Sequence, residues 1–232
     1  MANGEPGQHE WSAERSAADE RRRMVEEQVR ARGVYDERVL DVMLRLPREH
    51  FLPPDCRDAA YEDRALPIGE GQTISQPFIV AYMTQKLMPA PSGRVLEIGT
   101  GTGYQTAVLA LLCQHVFTVE RIAVLQQRAA EALRILRISN VSMSIGDGSM
   151  GLAESAPFDG ILVTAAAPRV PESLVNQLVD GGRLVVPVGG LAEQTIVVVV
   201  RDGPRTIETP CLGCRFVKLI GQEGWSSDRD CR

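Results

Sequence analysis

The sequence predicts an α/β fold on a doubly wound, mostly parallel sheet, with helices added before it and antiparallel strands at its C-terminal end. Three observations carry this. From Arg94 onward, short apolar and β-branched runs alternate with helix-like ones, the pattern of parallel strands covered on both faces. The first of these runs, RVLEI, leads directly into the glycine-rich GTGTGY at residues 99–104. The last part, from TIVVVVRDGPRTIE onward, reads as β-rich, which places antiparallel strands at the end of the sheet.

Residues 1–18 read as a flexible polar lead-in and residues 226–232 as a tail, leaving one domain over 19–225. Its first part, 19–90, carries helices and a loop; its second, 91–225, carries the sheet. The stretch ERRRM (20–24) reads as a solvated helix face. Asp36 caps a helix bearing Val39, Val42, Met43 and Leu46 at i, i+3, i+4, i+7, and Pro47 ends it. Pro77 suits the first turn of a helix carrying Ile79, Met83 and Leu87. Strands are expected at 94–98, 115–119, 141–145, 158–164, 183–188 and 195–201. Between the second and third, Ile122, Leu125, Ala129, Leu133 and Leu136 share one helix face.

The 232 residues are 44% hydrophobic and 24% charged, enough for a sizeable core. A net charge of −5 argues against retention on nucleic acid or an anionic membrane by the overall field. No apolar run is long enough to span a bilayer, and the N-terminus lacks a signal-peptide hydrophobic region, so the expected address is the cytoplasm. Nothing in the sequence demands more than a monomer. The five cysteines show no framework spacing, and Cys211-x-x-Cys214 has no second pair to complete a zinc site. With three scattered histidines, no metal is expected.

The turn reads Glu97-Ile-Gly99-Thr-Gly101-Thr-Gly103-Tyr104. A dinucleotide fold wants G-x-G-x-x-G, with its third glycine at 104, where tyrosine stands; a P-loop wants Lys-Ser/Thr where Tyr-Gln follows. Acid-x-Gly-x-Gly-x-Gly instead resembles motif I of S-adenosylmethionine-dependent methyltransferases, which implies a Rossmann-like sheet of the class I methyltransferase type. The glycines admit a cofactor to the backbone, and the carboxylate of Glu97 suits the amine and sulfonium of S-adenosyl-L-methionine. Glu120, ending the second strand, is placed to accept hydrogen bonds from the ribose hydroxyls. Asp147, beside Gly148 in the GDG that ends the third, is placed to accept one from the adenine amino group. Any one of these acids alone reads as a solvated strand cap; three on successive strand ends read as a site.

Upstream, YEDRALPIGEGQTISQPFIVAYMTQKL (61–87), preceded by MVEEQVRARGVYDERVLDVMLRLPREHFLP, resembles the protein-L-isoaspartate O-methyltransferases. That family's identifying stretch around GQTISQP stands here at Gly71–Pro77. The resemblance continues through VERI, GDG, APFDGILVTAAAPRVPESLVNQLVDGGRLVVPVGG and RFVKLIG, covering Met24 to Trp225. It implies methyl transfer to the free carboxylate of L-isoaspartyl residues in damaged proteins and peptides, the ester then collapsing to a succinimide. It also implies that Ser75 is the active-site serine, its hydroxyl orienting the acceptor. Thr73 and Ile74 are expected at the boundary of cofactor and substrate.

The chemistry agrees with the residues. A carboxylate is ionised at neutral pH and needs no general base, and QTISQP offers hydroxyls and amides with no histidine, lysine or acid. The plainer reading is that Ser75 or Gln76 caps the helix begun by Pro77. The alanines of VTAAAP (163–168) either leave room at the sulfonium or pack strand against helix, and Tyr104 and Phe78 read as walls. Lys218 stands where many relatives have proline, and Cys214 where an aliphatic residue is usual; the resemblance implies that their segment helps hold the peptide substrate. A methyltransferase with another acceptor has no reason to contain GQTISQP. A catalytically silent module of this fold would not be expected to keep Glu97, Glu120, Asp147 and Ser75 together.

Overall fold

In the computed structural model, which describes residues 17–226, the chain first lays down helices and a hairpin and then threads one large sheet. The hairpin pairs β1 (Leu66–Gly69) with β2 (Gln72–Ile74). The sheet contains β3 (Arg94–Ile98), β4 (His115–Glu120), β5 (Val141–Ile145), β6 (Phe158–Val163), β7 (Leu178–Gly189), β8 (Gln194–Asp202) and β9 (Arg205–Cys214). Its order is β5-β4-β3-β6-β7-β8-β9, parallel from β5 to β7 and antiparallel for β8 and β9. The chain runs from central β3 outward to β5 and then crosses to β6 on the other side of β3. A crevice therefore opens at the carboxyl ends of β3 and β6, where such sheets bind ligands.

Residue chemistry explains the placement. β3 and β6 are central and almost wholly buried, as LEI and ILV allow, whereas β5 alternates serine with apolar residues and takes the edge. The expected strands at 94–98 and 141–145 match their observed bounds. β6 ends one residue early because the hydroxyl of Thr164 turns back to bond the carbonyls of Ile98 and Gly99. β7 is longer than expected, beginning at Leu178, with an irregular register against β6 that absorbs Asp180 to Gly182.

Helix α1 (Glu37–Arg45) starts where Asp36 accepts from the backbone N–H of Arg38 at 3.0 Å, and Leu46 already lies in extended backbone before Pro47. α2 (Pro77–Leu87) is buried on more than the expected face, taking in Phe78, Val80, Ala81 and Thr84 as well. Its polar side chains are satisfied in place: Gln85 Oε1 accepts from the N–H groups of Tyr35 and Asp36, and Thr84 Oγ1 accepts from Gln105 Nε2. α3 (Tyr104–Ala110) follows the glycine turn, and α4 (Ala123–Ile135) buries Leu125, Ala129 and Leu133 as the periodicity requires. α5 (Glu172–Asn176) precedes β7.

One expectation changes. In ERRRM, Arg21 is not a solvated residue: its Nε donates to the Tyr61 hydroxyl at 2.8 Å, and Met24 is fully buried. The lead-in and tail lie essentially outside the described residues. Among the described residues no helix is long and apolar enough to cross a membrane.

Replacing Asp36 by alanine removes the cap of α1 and should cost about 1 kcal/mol of stability, measured by urea denaturation. An unchanged midpoint would show that helix packing holds α1 without the cap.

Candidate active site

The glycine turn dictates the shape of the crevice. Gly99 lies at φ +95°, closed to most side chains, and a Cβ there would strike the Thr164 hydroxyl. Thr164 Oγ1 in turn donates to the carbonyl of Gly99 at 2.6 Å. Gly103, also at φ +95°, would place a Cβ 3.1 Å from that of Ala129, so α4 packs directly on the turn. Gly101 N–H donates to Glu120 Oε2 at 2.9 Å, and Ile122 N–H to Oε1 at 2.9 Å. Glu120 thus fastens the end of β4 to the turn. A carboxylate oxygen has two lone pairs, so Glu120, which lines the pocket, keeps accepting capacity for a ligand.

The hairpin closes one side, held down by Arg128 of α4, whose Nη1 donates to the carbonyl of Ile68 at 2.8 Å. The strap 217–225 closes the other. It runs beside the alanines after β6, with Ala166 N–H on the Val217 carbonyl and Leu219 N–H on the Ala166 carbonyl. The indole N–H of Trp225 bonds that same carbonyl at 3.1 Å. Of the alanines, Ala165 lines the pocket, while Ala166 and Ala167 are buried with their backbones bonded to the strap and β7.

Thr73, Ile74 and Ser75 line this one pocket together with Gly99, Gly101, Gly103, Glu120 and Gly148. The pocket holds about 800 Å³ of non-atom space, counted with its open mouth. Ser75 sits just before α2, but the capping residue is Gln76, which makes no side-chain cap bond and instead reaches Asp63. Among the described residues the Ser75 hydroxyl has no partner, so capping does not account for it.

Two expected residues stand elsewhere. Glu97 does not line the pocket: it is fully buried behind the turn, where Oε2 accepts from Thr106 at 2.5 Å and Thr118 at 2.7 Å. Burial pushes its carboxyl up to about 8, against the pull of those two hydroxyls. Its spacing from the glycines is right, but the β3 side chain at 97 points toward α3. Asp147 is also off the pocket wall. Its Oδ1 accepts from Ser149 N–H and Oγ, and its Oδ2 from Gln222 N–H at 2.7 Å, so it anchors the strap. Sequence reasoning missed Thr102, a pocket residue whose buried hydroxyl has no partner; Val217 to Ile220, in the segment expected to help hold the peptide substrate, form a further wall of the pocket. Thr102 lay in plain view within the turn, but an x position of a glycine motif carries no signal of its own. Among the described residues no cluster of three or more histidine, cysteine or acidic side chains is placed to hold a metal, and Cys56, Cys113, Cys211 and Cys214 are free thiols.

The model of the protein-L-isoaspartate(D-aspartate) O-methyltransferase (PCMT) family matches residues 19–224. The chain belongs to this family. A protein-L-isoaspartate O-methyltransferase of Methanoregula boonei is 53% identical over 210 residues, 90% of this chain and 97% of that one. Its counterpart in Geobacter metallireducens is 50% identical over 210 residues, again 90% and 97%. A solved protein-L-isoaspartate O-methyltransferase superposes with a TM-score of 0.78 at 32% identity, over 88% of this chain and 67% of that one. A putative PCMT from Plasmodium falciparum, in complex with S-adenosyl-L-homocysteine, gives 0.76 at 24% identity over 86% and 98%, a likeness of fold. The sheet is thus the class I methyltransferase type that the sequence predicts.

The raised carboxyl of Glu97 has a pH signature. A group whose folded value lies above its ordinary value near 4.5 contributes stability that is complete below that value. The contribution is lost as pH rises through about 8. Glu97→Gln has no proton to lose, so it should gain on the wild type by roughly 1 kcal/mol per pH unit across that window and then level off. Urea denaturation of both proteins from pH 5 to 9 checks this, and parallel stability curves would contradict it.

Proposed function

We propose that this chain transfers a methyl group from S-adenosyl-L-methionine to the free carboxylate of L-isoaspartyl residues in damaged proteins and peptides, with Ser75 placing the acceptor. The observation that carries the reading is the Ser75 hydroxyl, unspent on the helix behind it and lining the same pocket as the glycine turn.

The residues present fit the cofactor. The turn offers backbone at Gly99, Gly101 and Gly103 with no side chain in the way, and Glu120 retains lone pairs for ribose hydroxyls. The buried, partnerless Thr102 hydroxyl in the pocket wall asks for a polar ligand. Gly148, also in the pocket wall, packs directly on Ile98, where a Cβ would lie 2.5 Å from Cγ2. Thr73 and Ile74 border the cofactor on the substrate side. Glu97 and Asp147 act from the frame: the first braces the turn against α3 and β4, the second holds the strap. Bound there, S-adenosyl-L-methionine supplies an electrophilic methyl group on sulfur.

The acceptor is already an anion, so this chain need not remove a proton from it. Its residues orient and enclose. The Ser75 O–H donates to one carboxylate oxygen and leaves the other free to attack; the N-terminus of α2, where N–H groups lack partners, favours the same negative charge. Ile68, Ile74 and Leu219 exclude water from the space between. Orientation of this kind is worth roughly 7–11 kcal/mol of barrier. The methyl ester then leaves, and attack by the next backbone nitrogen expels methanol to form the succinimide, whose hydrolysis returns part of the damage to normal aspartate. The net charge of −5 supports action away from nucleic acid and anionic membrane.

Labelled S-adenosyl-L-methionine should mark an isoaspartyl peptide and spare its aspartyl twin; equal labelling would overturn the acceptor. Ser75→Ala should lower turnover on the order of 100-fold and leave the affinity for S-adenosyl-L-homocysteine, read by calorimetry, nearly intact. Equal losses in both would make the serine a cofactor ligand or a structural element.

A further inference from the structure

Behind Ser75 lies a cation that the reaction above does not use. Arg48 opens the single turn Arg48–Phe51 after α1 and is completely buried. Its Nε donates to the carbonyl of Ala60 at 2.9 Å and its Nη2 to the carbonyl of Ser75 at 2.8 Å. Its guanidinium carbon lies 4.8 Å from the centroid of the Tyr104 ring, and Tyr104 itself meets Phe51 edge-on at 5.4 Å. Nη1 is buried without a partner. Among the described residues no carboxylate lies within ion-pair distance of it.

Such a placement is expensive. A buried cation without a counter-ion is a poor way to fill space, and an apolar side chain of similar volume usually does so at lower cost. Burial draws the guanidinium down to about 10, still charged at neutral pH. What the side chain gains is geometry. Its planar fork spans two carbonyls at a fixed angle while its face lies on an aromatic ring, which neither lysine nor a hydrocarbon can reproduce.

The three groups it joins belong to different parts of the site. Ser75 places the acceptor, Ala60 leads into the segment before β1, and Tyr104 is the first residue of α3 after Gly103. We propose that Arg48 is a positioning residue: it locks the Ser75 loop to the cofactor turn and thereby fixes the serine hydroxyl at the separation that methyl transfer requires. The proposal rests on the function argued above.

A double-mutant cycle tests it. Arg48→Lys and Arg48→Met are made in the wild type and in Ser75→Ala, with kcat/KM on an isoaspartyl peptide, S-adenosyl-L-homocysteine affinity and thermal melting measured for each. In the wild-type background kcat/KM should fall roughly 10-fold for lysine and on the order of 100-fold for methionine. Cofactor-product affinity should stay nearly constant. In Ser75→Ala the same substitutions should cost less than about twofold, because no hydroxyl remains to be placed. Penalties that multiply in full, or a matching fall in peptide turnover and S-adenosyl-L-homocysteine affinity, would overturn the proposal. If Arg48→Met does not fold, the lysine arm alone decides between these outcomes. Failure of the wild type to methylate the peptide overturns the function and this proposal with it. Methylation by the wild type with full multiplication overturns this proposal alone.

Discussion

The crevice exists because backbone approaches backbone where side chains are forbidden. Thr164 occupies the space beside Gly99, Ala129 presses on Gly103, and Ile98 fills the space beside Gly148. These contacts set how closely β6, α4 and the end of β5 approach the carboxyl end of β3. Everything else is hung on that spacing. The hairpin is tied to α4 through Arg128, the strap to β6 through Ala166, and Glu120 to the turn through Gly101. A branched residue at any of the three glycines would move several of these attachments at once.

A second layer works beneath the first. Glu97, Thr100, Thr106 and Thr118 form a buried polar knot in which one carboxyl oxygen takes two hydroxyl donors, two threonines bond each other, and the second carboxyl oxygen is left without a partner. In low dielectric such a network is stiff when satisfied and costly when not. It holds β3, β4 and α3 in register below the turn. Arg48 plays the matching part on the substrate side, with carbonyls and a ring in place of hydroxyls. The groups that face the ligand are thus fixed by ionisable residues that do not touch it.

Much of this was legible in the residue order, and the limits have physical causes. The strands at 94–98 and 141–145 follow from apolar runs bounded by clear breaks, and the cap at Asp36 and the start at Pro77 follow from local chemistry. The glycine turn, Glu120 and the GQTISQP block gave most of the pocket wall. Distance along the chain was read correctly for Glu97 and Asp147, but the direction of a side chain depends on what packs above it. Thr106 and Thr118 drew one inward, and the backbone of Gln222 claimed the other. Arg48 in LPREHF looks like any charged residue beside a proline. Its burial is decided by Ala60, Ser75 and Tyr104, which are brought together only in three dimensions. The strap, lying beyond the last strand, carried no periodicity that would place it over the sheet's far end.

The strap also bears on how the protein comes into being. A ribosome delivers the glycine turn before β4 to β9 and residues 217–225 after them, so a growing chain holds its cofactor-side scaffold well before it has a second wall. Until Asp147 receives the backbone of Gln222 and Trp225 reaches the carbonyl of Ala166, the crevice stays open to water along that flank. A growing chain therefore lacks this wall of the pocket until residues 217–225 have been made.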